Sequence, residues 1–231
     1  MTNGIRKLFS EVPATYELVN HVLTLGQDRR WRGKAARIAA SRGGTRWLDV
    51  CTGTGEMALG LRELAGPEVL IAAADFCLPM LQAASGKRVA RPIRFVQAEA
   101  GALPFPDETF DLVTISFATR NIHVSRDVLL RCFREFYRVL RPGGRFVNLE
   151  TSQPASKLVR RLFHLYVRLT VKPVGSLISG SKAAYAYLSY TIPRFYSAPE
   201  LSEILLEGGF GKVTSRPLLL GAVAVHEAVK E

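Results

Sequence analysis

The chain has 231 residues, 48% hydrophobic and 22% charged, which suits one α/β domain of ordinary composition. It holds no run of about 18 apolar residues, so no membrane-spanning helix is expected. Its opening stretch, MTNGIRKLFSEVPATYE, lacks the apolar core of a secretory leader. The formal charge of +11 favours anionic partners. The basic residues are dispersed, however, with no zinc-finger spacing and no Lys/Arg block, so nucleic acid is not expected.

In chain order, strand and helix signals alternate. Arg46 to Cys51 reads as a short apolar strand, and Glu56 to Leu64 as a helix with Met57, Leu61 and Leu64 on one face. Val69 to Ala74 is a strand, Pro79 to Val89 a helix, and Ile93 to Ala98 and Phe110 to Phe117 two further strands. Arg126 to Leu140 predicts a strong helix. Leu129, Phe133, Phe136 and Leu140 share its apolar face, and Arg131, Arg134, Arg138 and Arg141 its wet one. Pro142-Gly143-Gly144 stops that helix, and Arg145 to Leu149 is the fifth strand. Residues 155–190 are helical, basic and aromatic, and residues 199–208 form one more helix. The end of the chain predicts two strands around Pro217 to Gly221. So close a coupling implies one antiparallel strand in an otherwise parallel sheet. Cys51, Cys77 and Cys132 have no metal-ligand spacing, and they read as buried thiols of a reducing compartment.

The segment Leu48-Asp49-Val50-Cys51-Thr52-Gly53-Thr54-Gly55-Glu56 joins a strand to a helix. Glycines there let the backbone approach a ligand, and the helix N-terminus offers unpaired N–H groups. Asp75 ends the next strand, where a carboxylate can accept both hydroxyls of an adenosine ribose. The loop alone fits either a nicotinamide dinucleotide or S-adenosylmethionine, because Gly53 to Ala58 also satisfies G-x-G-x-x-G/A.

The rest of the chain resembles class I methyltransferases, and among them the UbiE/MenG family of quinone C-methyltransferases. The resemblance runs nearly end to end. It is carried by Tyr16-Glu17-Leu18-Val19-Asn20, Arg29-Arg30-Trp31-Arg32, the LDVCTGTGE loop, Asp75 with Met80-Leu81, and Ala102 to Pro106 followed by Phe110-Asp111. Phe117 to Asn121, Arg138 to Gly144, Leu149-Glu150, Tyr187-Leu188 and Thr191-Ile192 complete it. The chain departs from the family pattern at Cys51-Thr52, Glu17, Ala118, Thr191 and Glu99. The resemblance implies a Rossmann-like three-layer sandwich. Its seven-stranded, mostly parallel sheet would have one antiparallel strand and a helical insertion between strands 5 and 6. It would be a single domain with a helical cap over residues 1–40 and a lid over residues 155–198.

It also implies S-adenosylmethionine as cofactor. Gly53, Thr54 and Gly55 would shape the methionine end, and Asp75 would bind the ribose. Phe76, Glu99 and Ala100 would flank adenine, and Ser116 would lie beneath the sulfonium. The substrate would be a prenylated quinol, a demethylmenaquinol or a methoxy-benzoquinol. Arg120, Asn121 and Tyr16 would face it. A guanidinium lowers the pKa of a nearby phenol, and the resulting phenolate pushes charge onto the ortho carbon. For Arg120 the alternative is a surface salt bridge to Asp127 or Glu150. His123 is an alternative base, while His21, His164 and His226 read as structural. An NAD-dependent oxidoreductase is the competing enzyme class, but no hydride-chemistry residues stand beside the loop. A basic, non-catalytic membrane- or RNA-binding protein is the competing non-enzymatic reading, and it rests on charge alone.

Lys157 to Lys172, KLVRRLFHLYVRLTVK, places Leu158, Leu162, Leu165 and Leu169 on one helical stripe beside Arg161 and Arg168. Such a helix is expected to rest weakly on an anionic membrane surface, to cover the active site, or both. The expected location is the cytoplasm, at the inner face of the membrane, and a homodimer is compatible with the sequence.

Overall fold

The computed structural model describes residues 13–89 and 91–231. Seven strands form one sheet: β1 (Arg46–Val50), β2 (Leu70–Asp75), β3 (Arg94–Gln97), β4 (Phe110–Ser116), β5 (Leu140–Thr151), β6 (Lys212–Leu218) and β7 (Val223–Val229). They lie in the order β3-β2-β1-β4-β5-β7-β6. The pairings among β1 to β5 are parallel. Strand β7 runs antiparallel to both β5 and β6, so it is the one reversed strand.

The described helices are α1 (Pro13–Leu23), α2 (Gln27–Ala40), α3 (Glu56–Leu64), α4 (Leu78–Ser85), the single turn α5 (Thr119–Ile122), α6 (Arg126–Val139), α7 (Lys157–Ser179), α8 (Lys182–Thr191) and α9 (Ala198–Glu207). The inner strands are apolar runs because both faces of the sheet are covered. On one face Leu48, Val50, Val113 and Ile115 meet Leu129, Phe133 and Phe136 of α6 and Leu201 and Leu205 of α9. On the other, Trp47, Ile71 and Leu112 meet Ala35 and Ala39 of α2 and Met57 and Leu61 of α3.

Two expectations need correction. Leu64 is 44% exposed, because α3 ends there and its last turn overhangs the core. Arg138 is not on a wet face. Its guanidinium binds Glu135, Asp107 and the carbonyls of Phe105 and Leu103, clamping the LPFPD turn onto α6.

A third apolar cluster lies beyond the carboxyl ends of the strands. It joins Val19 of α1, Phe76 and Met80 beside α4, Val167 and Val171 of α7, and Ala184, Tyr185 and Leu188 of α8. Gly175 permits the close approach of α7 to α8, since a Cβ there would lie 2.1 Å from Cδ1 of Tyr185. Of the cap expected over residues 1–40, residues 1–12 lie outside the described residues.

Candidate active site

Strand order reverses between β1 and β4, and a parallel sheet opens a crevice at such a point, outside the carboxyl ends of the strands. Both strands end in strain. Cys51 and Phe117 hold left-handed backbone angles, φ 52° and 53°, which non-glycine residues adopt at a cost. Between Cys51 and α3 the two glycines do different work. A Cβ on Gly53 would meet nothing within 4 Å, so its backbone is open to a ligand, whereas one on Gly55 would meet Cβ of Ala84 at 3.0 Å. Gly55 is the left-handed N-cap of α3 and lets that helix start pack against α4.

The crevice holds about 590 Å³ of space between atoms, part of it open to solvent. Its lining includes Tyr16, Gly53, Thr54, Asp75, Phe76 and Ser116, and Asn121 closes its far side. Asp75 is buried and accepts backbone N–H bonds from Gly53 at 2.8 Å and Cys77 at 2.9 Å. Burial nevertheless pushes its carboxyl up to about 6, the backbone donors pulling the other way and the charge of Glu99 adding to the rise. Asp49 lies behind it, fully buried between the hydroxyls of Thr52 and Thr114, both at 2.6 Å, and burial likewise raises it to about 6. Two under-solvated carboxylates suit a ligand that is cationic and rich in hydroxyl donors. S-adenosylmethionine, with its sulfonium and ribose diol, is such a ligand, so the residues present fit the expected cofactor.

The far side is built on α5 and the end of β5. Thr119 donates to Oδ1 of Asn148 at 2.6 Å, fixing α5 to β5. Arg120 is buried. Its Nη1 reaches Oε1 of Glu150 at 3.2 Å and Oγ1 of Thr151 at 2.9 Å, and its backbone N–H donates to Oε2 of Glu150 at 3.1 Å. Of the two salt bridges weighed for Arg120, the one to Glu150 forms, but it is buried rather than at the surface: Glu150 is 0% exposed. The guanidinium is therefore not a bare cation. Its Nε, and Oδ1 of the neighbouring Asn121, are buried without a hydrogen-bond partner among the described residues. Buried polar groups are nearly always paired, so the orphan oxygen of Asn121, which lines the crevice, points to a ligand there, with the Nε of Arg120 one residue behind it. Tyr16 is half-buried over the cleft. Burial raises its phenol above 10, with Arg32, Asn20 and Arg120 pulling it back, so it is a proton donor at neutral pH.

The expected residues thus divide. Gly53, Thr54, Asp75, Phe76, Ser116, Asn121 and Tyr16 come together on the lining. Gly55, Glu99, Ala100 and Arg120 do not line it. Ala100 is 6% exposed and packs in the core, and Glu99 forms an isolated bridge to Ala102. His123 bonds Oη of Tyr196 at 3.0 Å, outside the lining. Sequence reasoning gave no role to Arg32, which lines the cleft, bridges Asp28 at 2.9 Å and Glu56 at 3.0 Å, and lies 5.1 Å from the centre of the Phe117 ring. Its signal was the Arg29-Arg30-Trp31-Arg32 run, in which only Arg32 is buried.

Comparison with known proteins bears on this arrangement. The model of the ubiE/COQ5 methyltransferase family matches residues 2–230. A demethylmenaquinone methyltransferase of Thermus thermophilus is 40% identical over 95% of this chain and 98% of its own length. A ubiquinone/menaquinone biosynthesis C-methyltransferase of Desulfotalea psychrophila is 36% identical over 98% of this chain and 90% of its own. Among solved structures, a SAM-dependent methyltransferase of Aquifex aeolicus shares the fold, with a TM-score of 0.60 and 19% identity over 87% of this chain and 89% of that one.

Proposed function

The chain belongs to the ubiE/COQ5 methyltransferase family, and on that premise we propose that it transfers a methyl group from S-adenosylmethionine to a ring carbon of a prenylated quinol, demethylmenaquinol first among them. The observation that carries the quinol reading is the buried, unpartnered Oδ1 of Asn121 on the lining of a cleft capped by a phenol, with the likewise unpartnered Nε of Arg120 just behind it. A naphthoquinol presents a hydroxyl that can donate to one and accept from the other. The Thermus relative's name favours menaquinone synthesis. The double name of the Desulfotalea relative supports the benzoquinol of ubiquinone synthesis as a second substrate.

S-adenosylmethionine, when bound, supplies an electrophilic methyl group. Asp75, Gly53, Thr54, Phe76 and Ser116 would hold it, with Gly55, Glu99 and Ala100 supporting from behind the lining. What the chain must add is alignment, exclusion of water and a nucleophilic carbon. The quinol becomes nucleophilic at the ortho carbon when its hydroxyl ionises. A free phenol has a pKa of about 10. Because Glu150 offsets the charge of Arg120, that guanidinium acts chiefly as a fixed donor to the developing phenolate. Asn121 accepts the hydroxyl's hydrogen bond until a water at the open side of the cleft takes that proton. Tyr16, still protonated, donates to the phenolate from above. After the methyl–carbon bond forms, the ring carbon gives its own proton to water and regains aromaticity. The layer of α1, α7 and α8 keeps water from the ring. This basic chain would work at a bilayer, where its substrate resides, through weak, salt-reversible attachment.

The test is incubation with S-adenosylmethionine and demethylmenaquinone, reduced or oxidised, read by mass. One methyl gained by the reduced form alone is the expected result, and equal turnover of the oxidised form overturns the mechanism.

A further inference from the structure

The outer surface of the helical layer is not that of a water-exposed lid. Helix α7 buries only Val167, Val171 and Gly175. Leu158, Leu162, Leu165 and Leu169 stand exposed in one stripe. Beside this stripe lie two turns tipped with leucine in a left-handed conformation. Leu25, between α1 and α2, is 83% exposed at φ 51°. Leu220, between β6 and β7, is 78% exposed at φ 54°, and its neighbour Leu219 shares the conformation at φ 44°. Glycine or asparagine is the ordinary choice at such backbone angles. Leucine there is doubly unfavourable in water, by strain and by exposure.

The three segments join. Oη of Tyr166 on α7 donates to the carbonyl of Leu23 at 2.6 Å, bringing the first turn to the helix. A Cβ on Gly221 would lie 3.3 Å from Cα of Pro154, which sets the second turn against the start of α7. The helix carries Lys157, Arg160, Arg161, Arg168 and Lys172 and no acidic residue.

We propose that α7 and the two leucine-tipped turns form one docking face for an anionic bilayer, the turns inserting apolar tips while the flanking cations hold the headgroups. The proposal rests on the quinol reading for its purpose, though not for its observations. Charge selects the occupant. Two copies of this face would set ten α7 cations against one another (five on each helix), whereas anionic lipid neutralises them. Long basic side chains can lie along the apolar surface with their heads in the headgroup layer.

The probe is sedimentation with vesicles of phosphatidylcholine, with and without phosphatidylglycerol, at low and high salt. Leu25→Asn with Leu220→Asn removes both tips while giving each turn a residue that favours its backbone, so the fold is kept. The native chain should bind the anionic vesicles at low salt, and the double variant at least about tenfold more weakly. Both should turn over a reduced, tail-less naphthoquinol equally. No binding by the native chain, equal binding by the variant, or equal binding to neutral vesicles overturns the docking face. Loss of turnover on the tail-less quinol with vesicle binding intact would instead strike the substrate reading and leave the face standing.

Discussion

Replacing Glu150 by glutamine tests the compensated guanidinium most directly. Glutamine keeps the shape, and one oxygen that can still accept from the N–H of Arg120 or Thr151. It removes only the charge facing Arg120, which is 6% exposed and would otherwise hold a single remaining partner, Oγ1 of Thr151. Breaking one side of a buried pair costs about 3–5 kcal/mol, and the retained acceptor argues for the lower end. For a chain of this size that is a fall in Tm of roughly 6–12 °C, read by thermal unfolding. Adding Arg120→Met to Glu150→Gln removes the stranded cation and should restore all but about 1 kcal/mol, a coupling of at least about 2 kcal/mol. A Glu150→Gln variant within about 1 kcal/mol of the native chain would refute the reasoning, as would a double variant no more stable than the single one. Either result would mean that the pair is solvated and that Arg120 is free to act as a net charge.

Other outcomes follow from the same geometry. Burial pushes the Asp75 carboxyl up to about 6 in the fold, against an ordinary value of 3.8, so the folded state keeps a proton the unfolded chain has lost. Its contribution to stability is present at low pH and lost as pH rises through about 6. Donors from a ribose favour the ionised form. Calorimetry should therefore show S-adenosylhomocysteine binding roughly tenfold more weakly at about pH 5 than at about pH 7.5, and a flat profile would remove Asp75 from the ribose site. Gly175→Ala places a methyl against the Tyr185 ring and should cost about 1–3 kcal/mol of stability by overpacking, measured by denaturant titration. Leu220→Gly relieves left-handed strain in an exposed turn and should raise Tm by a few degrees, about 2–4 °C for each kcal/mol recovered. An unchanged or lower Tm would show that the turn is not strained.

The sheet and its helices were legible because both faces of the inner strands are covered. That burial turns VLIAAA and the FDLVTIS run into continuous apolar segments, while the helix over Arg126–Val139 announces itself by its period. The glycine loop and Asp75 were legible because close backbone approach and a strand-end carboxylate leave local marks. The setting of Arg120 was not. It depends on Glu150, thirty residues away on β5, and only the approach of α5 to that strand desolvates the pair. Arg32 was hidden for the same reason: nothing local separates it from Arg29 and Arg30 except the packing of α2 beside Phe117. The turn around Pro217 to Gly221 was legible, but its left-handed leucines, like Leu25, were not, because such angles are normally announced by glycine or asparagine. Pro217 does sit in a strand, and β6 tolerates it because it is the edge of the sheet.

On the proposed docking, helix α7 would be a ceiling and a foot at once. Val167 and Val171 on its inner side meet Val19 and so hold α1, and with it Tyr16, above the crevice. Leu158, Leu162 and Leu169 on its outer side meet whatever lies outside. One helix diameter, about 10–12 Å, separates the two. A load borne on the outer side of the docked chain would reach the phenol through α1, which packs on the inner side of the same helix. Excising residues 155–198 to obtain a smaller catalyst would remove the ceiling together with the foot.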